Sequence, residues 1–161
     1  MNALPGRRDT LGFIGFLALC LGVSALGAAA TATSVGSWYR TLAKPAFNPP
    51  DWLFAPVWTA LFFMMAFSAW RIWRREGLRR ARAEMALFAL QLALNLGWSL
   101  LFFGMRSIGG ALIEILVLLL AIIATGVMFW RRDRVAGMLL LPYAVWVGFA
   151  AVLNAAIWRL N

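Results

Sequence analysis

Five apolar runs, each about twenty residues long, constrain this chain more than any other feature. They cover residues 11–31, 52–73, 85–105, 108–130 and 135–158. An α-helix rises ~1.5 Å per residue, so about 20 residues cross the ~30 Å hydrocarbon core of a bilayer. With 63% hydrophobic and 13% charged residues, a soluble domain of this size could not enclose the apolar surface. We predict an all-α membrane protein, a five-helix transmembrane bundle forming one domain over residues 1–161.

The basic residues are distributed unequally between the two ends of the predicted spans. Four of the 15 Lys and Arg residues lie at the end that carries the first loop, namely Arg40, Lys44, Arg106 and Arg159, and all others lie at the opposite end. Basic residues are enriched on the cytoplasmic side of membrane proteins. We therefore expect a cytoplasmic N-terminus, in a bacterial inner membrane. Because the charges flank the spans, the net charge of +9 indicates no nucleic-acid partner.

The first loop, residues 32–51, is longer than the other connections and rich in proline and aromatic residues. Proline fixes φ and restricts the residue before it, so Pro45, Pro49 and Pro50 should make the loop stiff. Tryptophans such as Trp38 and Trp52 suit either a membrane boundary or a flat ligand. We predict an ordered lid over the bundle.

The third run has two different faces at helical spacing. Gln91, Asn95 and Trp98 share a polar and aromatic stripe that continues to Phe102. The opposite face carries three small residues at spacings of four: Ala89, Ala93 and Gly97. Small residues let helix backbones approach closely, either in a homodimer or within one chain. We predict a homodimer contact here and leave the intrachain alternative open.

The second and fifth runs carry matching stripes. The stripe of the fifth run consists of Tyr143, Trp146, Ala150 and Asn154, and that of the second run of Trp58, Phe62 and Met65. Amides at membrane depth need hydrogen-bond partners, and interhelical bonds alone could supply them. Because several stripes converge below an aromatic loop, we favour a ligand cavity. Pro142 should kink the fifth span.

Glu114 is the acidic residue that lies well inside an apolar run. It could pair with Arg106 near the boundary or serve in a proton relay. The chain has no histidine and a single cysteine, which excludes His-based triads, bis-His haem ligation and ordinary zinc sites. We therefore expect no catalytic residues, no metal and no required cofactor. Recognition of a large, flat, apolar ligand remains, with Arg40 and Lys44 available for acidic substituents.

Several motifs together resemble the translocator protein family, also called the tryptophan-rich sensory protein or peripheral benzodiazepine receptor family. They are Trp38-Tyr39, Lys44-Pro45, Asn48-Pro49-Pro50, Trp52, Phe54, Pro56, Trp58, Gln91, Asn95, Trp98, Phe102-Phe103-Gly104, Pro142-Tyr143, Trp146 and Leu153-Asn154. The resemblance covers about residues 11–161. It implies a dimeric five-helix protein that binds porphyrins such as protoporphyrin IX between the helices under the first loop. The ligand-facing residues it implies are Trp38, Trp52, Trp58, Asn95, Trp98, Tyr143, Trp146 and Asn154.

Two departures from the family pattern affect the expected ligands. Many bacterial relatives have a tryptophan where this chain has Ala46 or Phe47, so one stacking surface is lost or smaller. The cholesterol motif of animal members requires a tyrosine that the segment from Val152 to Arg159 lacks. We expect no high-affinity cholesterol binding. The resemblance implies a porphyrin receptor or sensor, and a light-dependent porphyrin-degrading enzyme or a transporter of tetrapyrroles or other lipophilic molecules are the alternatives.

Overall fold

The computed structural model describes residues 6–161, which fold into helices joined by short turns and one long loop. The helices are α1 (Arg7–Ala32), α2 (Trp38–Thr41), α3 (Phe54–Arg80), α4 (Arg82–Ser99), α5 (Ile108–Arg132), α6 (Arg134–Leu139) and α7 (Leu141–Leu160). A 3₁₀ turn, Asp51–Leu53, leads into α3, and a π-helical turn, Leu100–Gly104, ends α4. With α6 and α7 taken together, the described residues contain five segments long and apolar enough to cross a membrane. The predicted fold class is confirmed.

Two spans extend further at the arginine-rich end than their apolar runs do. α1 begins at Arg7, and α3 continues to Arg80 through a kink at Gly77, whose φ is 71°. A hydropathy pattern ends where the apolar residues end. The helix itself can continue, because arginine is a good helix former and its charge is favourable in the last turn. These helices therefore project beyond the apolar region.

The spans are arranged as a ring. α1 packs against α3 and α4, α4 packs against α5, and α5 packs against α7. Aromatic side chains join α3 to α7, with ring centroids 5.8 Å apart for Phe54–Trp146 and 6.2 Å apart for Trp58–Tyr143. Large rings between two helices hold their backbones apart. The bundle therefore has space in its interior at the end where these rings lie.

The fifth span is interrupted close to the predicted position. α6 ends at Leu139 and α7 begins at Leu141, with Pro142 in its first turn. Proline cannot donate the backbone bond to the residue four before it. At the junction the amide of Leu140 donates to the carbonyl of Gly137, three residues before it, over 3.1 Å. The kink expected at Pro142 is present as this break.

Buried carboxylates hold the arginine-rich end together. Asp133, whose side chain is 2% exposed, lies 2.8 Å from an Arg71 nitrogen and 3.1 Å from an Arg75 nitrogen. Its other oxygen accepts from the amides of Val135 and Ala136 and so caps α6. Burial alone would raise the pKa of Asp133, but the hydrogen bonds from Arg75, Ala136 and Arg71 lower it below its usual value.

A second carboxylate cluster ties α4 to α5 at the same end. Glu84, also nearly buried, accepts from Nε of Arg132 over 2.8 Å, and Glu76 lies 3.8 Å from another nitrogen of that arginine. The indole of Trp70 donates to the carbonyl of Asp9 over 2.9 Å, which attaches the start of α1 to α3. This end of the bundle is therefore closed by contacts between four of the spans.

Candidate functional site

A cavity of about 450 Å³ occupies the half of the bundle that lies next to the first loop. All five spans and the loop contribute to its wall. Its aromatic lining consists of Tyr39, Phe54, Trp58, Phe62, Trp98, Phe102, Phe103 and Trp146. Along α1 it extends from Val23 to Ala32, a depth of about 14 Å at ~1.5 Å per residue. This volume is within the ~300–1,000 Å³ typical of small-molecule sites.

Few polar groups interrupt the apolar lining. They are Ser24, Thr31, Asp51, Thr59, Asn95, Ser99 and Asn154. Asp51 is the charged member, and no Lys or Arg is among the described residues of the wall. The cavity is therefore suited to a ligand with a large apolar surface and few hydrogen-bonding groups.

Hydrogen bonds between helices fix the two amides of the wall. Nδ2 of Asn95 donates to the Tyr143 hydroxyl over 3.0 Å. The Trp98 indole donates to Oδ1 of Asn154 over 3.1 Å, and Nδ2 of Asn154 donates to the Ile108 carbonyl over 3.0 Å. These bonds join α4, α5 and α7 at the cavity wall. The two amides therefore form interhelical hydrogen bonds and also line the cavity.

The first loop is attached to the end of α4 at the π-helical turn. A π-turn shifts the backbone hydrogen-bond register, and such turns are frequent at functional sites. The buried Ser34 hydroxyl donates to the Phe103 carbonyl over 2.7 Å. The Tyr39 ring packs against Phe102 and Phe103. Serine and aromatic contacts therefore hold the loop over the cavity.

Further contacts order the middle of the loop. The Tyr39 hydroxyl lies 3.3 Å from Oδ1 of Asn48, and burial together with the charge of Asp51 raises the Tyr39 pKa. The side chain of Asn161 bonds both the amide and the carbonyl of Ala43, each over 3.0 Å. The loop is thus anchored to α4 and to the end of α7, as expected of an ordered lid.

The structure brings half of the predicted ligand-facing residues together. The predicted residues in the cavity wall are Trp58, Asn95, Trp98, Trp146 and Asn154. Tyr143 is fully buried behind the wall, where it bonds Asn95 and its ring lies against that of Trp58. Of the α7 stripe, Trp146, Ala150 and Asn154 line the cavity, whereas Tyr143 packs behind it.

The other predicted ligand-facing residues lie in the loop or at its end, outside the cavity wall. Trp52 is 72% exposed, and Trp38 packs edge-on against Phe102. Arg40 is exposed. Nζ of Lys44 lies 4.5 Å from the ring centroid of Tyr39 and donates to the Leu42 carbonyl. Their contact with a ligand stays a prediction.

The three small residues of α4 differ in their surroundings. Ala89 and Ala93 are exposed, whereas Gly97 is half-buried against α5. A Cβ at Gly97 would lie 3.5 Å from a carboxylate oxygen of Glu114. Gly97 therefore packs against another helix of the same chain, whereas Ala89 and Ala93 remain available for contact with a second copy.

Glu114 does not form the ion pair with Arg106 that its position in the sequence suggested as one possibility. Both of its carboxylate oxygens are buried without a hydrogen-bond partner, and the ion pairs among residues 6–161 do not include one with Arg106. Arg106 is exposed in the connection after α4, with φ at 55°. The carboxylate instead points into the contact between α4 and α5.

The cavity wall on α1 was missed by the sequence analysis. It includes Val23, Ser24, Gly27, Ala28, Thr31 and Ala32. α1 is apolar around its whole circumference, so no stripe marks the face that points inward. At Gly27 a Cβ would lie 3.3 Å from the Ser99 hydroxyl, so glycine permits the close approach of α1 to α4.

The described residues contain no cluster of acidic or cysteine side chains that could hold a metal ion. The site is an aromatic cavity under the first loop of a multi-pass membrane protein. Sequence comparison agrees with this class, because the TspO/MBR family profile matches residues 16–159. The chain belongs to the TspO/MBR family.

Individual relatives match most of the chain. A tryptophan-rich protein TspO from Chlorobaculum tepidum is 43% identical over 149 residues, covering 90% of this chain and 92% of the relative. A tryptophan-rich sensory protein from Cereibacter sphaeroides is 40% identical, with 92% and 90% covered. The human translocator protein is 37% identical, with 77% and 75% covered. The similarity therefore extends across bacterial and animal members.

Proposed function

We propose that the cavity binds a porphyrin-type tetrapyrrole such as protoporphyrin IX and that the protein acts as a membrane receptor or sensor for it. The observation that carries the proposal is the aromatic wall, in which Trp58, Trp98 and Trp146 surround an apolar space of about 450 Å³. A flat aromatic macrocycle buries its faces against such rings, and each aromatic contact contributes about 0.5–1.5 kcal/mol beyond burial of area. Other hydrophobic ligands of similar size would suit the same apolar and aromatic lining.

The charges around the cavity favour one orientation of a porphyrin. Asp51 lines the cavity, so a carboxylate beside it would be repelled. Arg40 and Lys44 belong to the loop, and Lys44 is separated from the cavity by the Tyr39 ring. We propose that the macrocycle lies in the cavity and that its acidic substituents approach Arg40 and Lys44 rather than Asp51.

Binding can be tested with two tryptophan variants that differ in position. Trp146 lines the cavity and Trp52 does not. We expect Trp146→Ala to weaken protoporphyrin IX binding at least about tenfold, the usual range for a central aromatic contact. Because Trp52 lies outside the cavity wall, Trp52→Ala should weaken binding much less than Trp146→Ala. Titration followed by porphyrin absorbance avoids a readout that depends on the removed indole.

Trp146 also packs against Phe54 and Phe149, so the thermal unfolding of each variant must be recorded. Weakened binding by a folded Trp146→Ala protein supports the proposed site. Equal losses in the two variants, or none in Trp146→Ala, would place the porphyrin elsewhere.

We also propose a homodimer that forms through the small residues of α4. Ala89 and Ala93 are exposed on this helix, and a small-residue face lets a second α4 approach closely. Ala93→Leu should convert the dimer to monomer in native mass spectrometry. Ala124→Leu, an exposed position on α5, is the matched control. A dimer that survives Ala93→Leu would assign the contact to another face.

The positions of the arginines in the folded chain support one orientation of the protein in the membrane. The start of α1, the end of α3 and the connection after α5 lie together, as the contacts of Asp9 with Trp70 and of Arg71 with Asp133 demonstrate. We propose that this arginine-rich end faces the cytoplasm of a bacterium and that the first loop faces away from it.

A further inference from the structure

A second apolar depression lies on the outer surface of the bundle at the arginine-rich end. It has a volume of about 280 Å³ between α5 and the start of α7. We call it the α5–α7 groove and define it by Ile122, Gly126, Trp130, Arg131, Leu140 and Ala144. It is separate from the central cavity, with which it shares no lining residue.

Two glycines give the groove its shape. At Gly126 the nearest side-chain atom to an added Cβ is Cβ of Leu140, at 3.9 Å, an ordinary contact distance, so the missing side chain lets Leu140 lie close to the α5 backbone and keeps the groove floor low. At Gly137 an added Cβ would lie only 2.7 Å from Cα of Trp130. α6 therefore packs directly on the α5 backbone, which fixes one wall of the groove.

The groove has the length and direction of a lipid chain. From Ile122 to Arg131 it follows nine residues of α5, about 14 Å at ~1.5 Å per residue. Half of the ~30 Å hydrocarbon core is about 15 Å. The groove is thus about as long as the hydrocarbon layer of one leaflet is thick.

Arg131 supplies an unused positive charge at the boundary end. Among residues 6–161 it forms no ion pair, whereas its neighbours Arg132 and Asp133 are both paired. Trp130, which is half-exposed beside it, is the residue type that prefers the headgroup level of a membrane. An apolar groove that ends at a free guanidinium is complementary to an anionic amphiphile.

We propose that the α5–α7 groove binds an anionic phospholipid, with one acyl chain along Gly126 and the phosphate-bearing headgroup at Arg131. Basic sites between transmembrane helices on the cytoplasmic side bind anionic headgroups in this way. The bound lipid would fill the space between α5 and α7 on the outer surface.

The test is a lipid titration of the delipidated full chain, read by native mass spectrometry. The probes are dioleoyl phosphatidylglycerol and dioleoyl phosphatidylcholine, which share acyl chains and differ in headgroup charge. We expect phosphatidylglycerol to bind more tightly to the native protein. Arg131→Gln should lower its affinity about fivefold, the effect of one basic residue near the surface, and should leave phosphatidylcholine unchanged.

Matched variants distinguish lipid binding in the groove from general attraction of lipid to the basic surface. Gly126→Leu fills the groove and should weaken both lipids, whereas Ala124→Leu, exposed on the same helix but outside the groove, should not. Arg79→Gln, an exposed arginine of the same end, controls for total charge. Equal losses for Arg79→Gln and Arg131→Gln, equal losses for the two leucine variants, or equal affinity for the two lipids would each overturn the proposal.

Discussion

The two ends of the bundle pack their helices by different means. At the arginine-rich end, Asp133 and Glu84 are buried carboxylates that bind arginines from neighbouring helices. At the loop end, neutral hydrogen bonds such as Trp98–Asn154 and aromatic contacts surround the cavity. A cavity forfeits the dispersion contacts that its walls would make in a filled core. The arginine-rich end is therefore closed by charged contacts between helices, whereas the loop end is held by neutral contacts around a cavity.

The largest predicted effect on stability falls at the closed end. Asp133→Asn keeps the size of the side chain and its ability to cap α6, but removes the charge that Arg71 and Arg75 bind. We expect a loss of about 2 kcal/mol, because charged hydrogen bonds contribute roughly 1.5–3 kcal/mol each but Arg71 and Arg75 are 24% and 53% exposed, so solvent screens part of the interaction. Equilibrium unfolding in detergent measures it, with the exposed Asp51→Asn as the control.

Acid provides an independent check of the same contact. Because the folded-state pKa of Asp133 lies below its unfolded value of about 3.9, its stabilisation is present above that pH and is lost as the pH falls through the folded pKa. The stability difference between the native protein and Asp133→Asn should therefore shrink below about pH 4. A difference that stays constant down to pH 2 would contradict the ion-pair account.

A smaller effect is expected for the amides of α4 and α7. Asn154→Leu leaves the Trp98 indole and the Ile108 carbonyl without their partner, which should cost about 1–2 kcal/mol. Gln91 is equally buried, but its oxygen has no partner and its nitrogen only a 3.9 Å contact with the Met65 sulfur. Gln91→Leu should therefore be neutral or stabilising in the same unfolding measurement. Equal destabilisation by both changes would show that hydrogen bonding does not distinguish the two amides.

The sequence predicted the fold because the five spans are long and uniformly apolar, as the span around Ile108–Arg132 illustrates. It did not predict where α3 ends, because the arginines that continue this helix past its apolar run give no hydropathy signal. The four-residue α2, Trp38–Thr41, was missed because so short a helix has no detectable periodicity.

The cavity was predicted where polar and aromatic residues share a stripe, as Asn95 and Trp98 do. It was missed on α1, whose cavity-lining Gly27 and Ala28 resemble their lipid-facing neighbours in hydropathy. Helical spacing gives the face of a residue but not how closely another side chain covers it. For that reason the stripe included Tyr143 although its side chain is fully buried against Trp58. The possible pairing of Glu114 with Arg106 is not formed among the described residues.

The central claim is that the open space between the helices is the binding site. Ala150 lines the cavity, whereas Val152, two residues further along α7, is 60% exposed on the outer surface. Protoporphyrin IX titration of Ala150→Phe and Val152→Phe tests the claim most directly, because both variants add a ring to the same helix. We predict that Ala150→Phe weakens binding at least about tenfold and that Val152→Phe binds like the native protein. Unchanged binding by Ala150→Phe would contradict the claim.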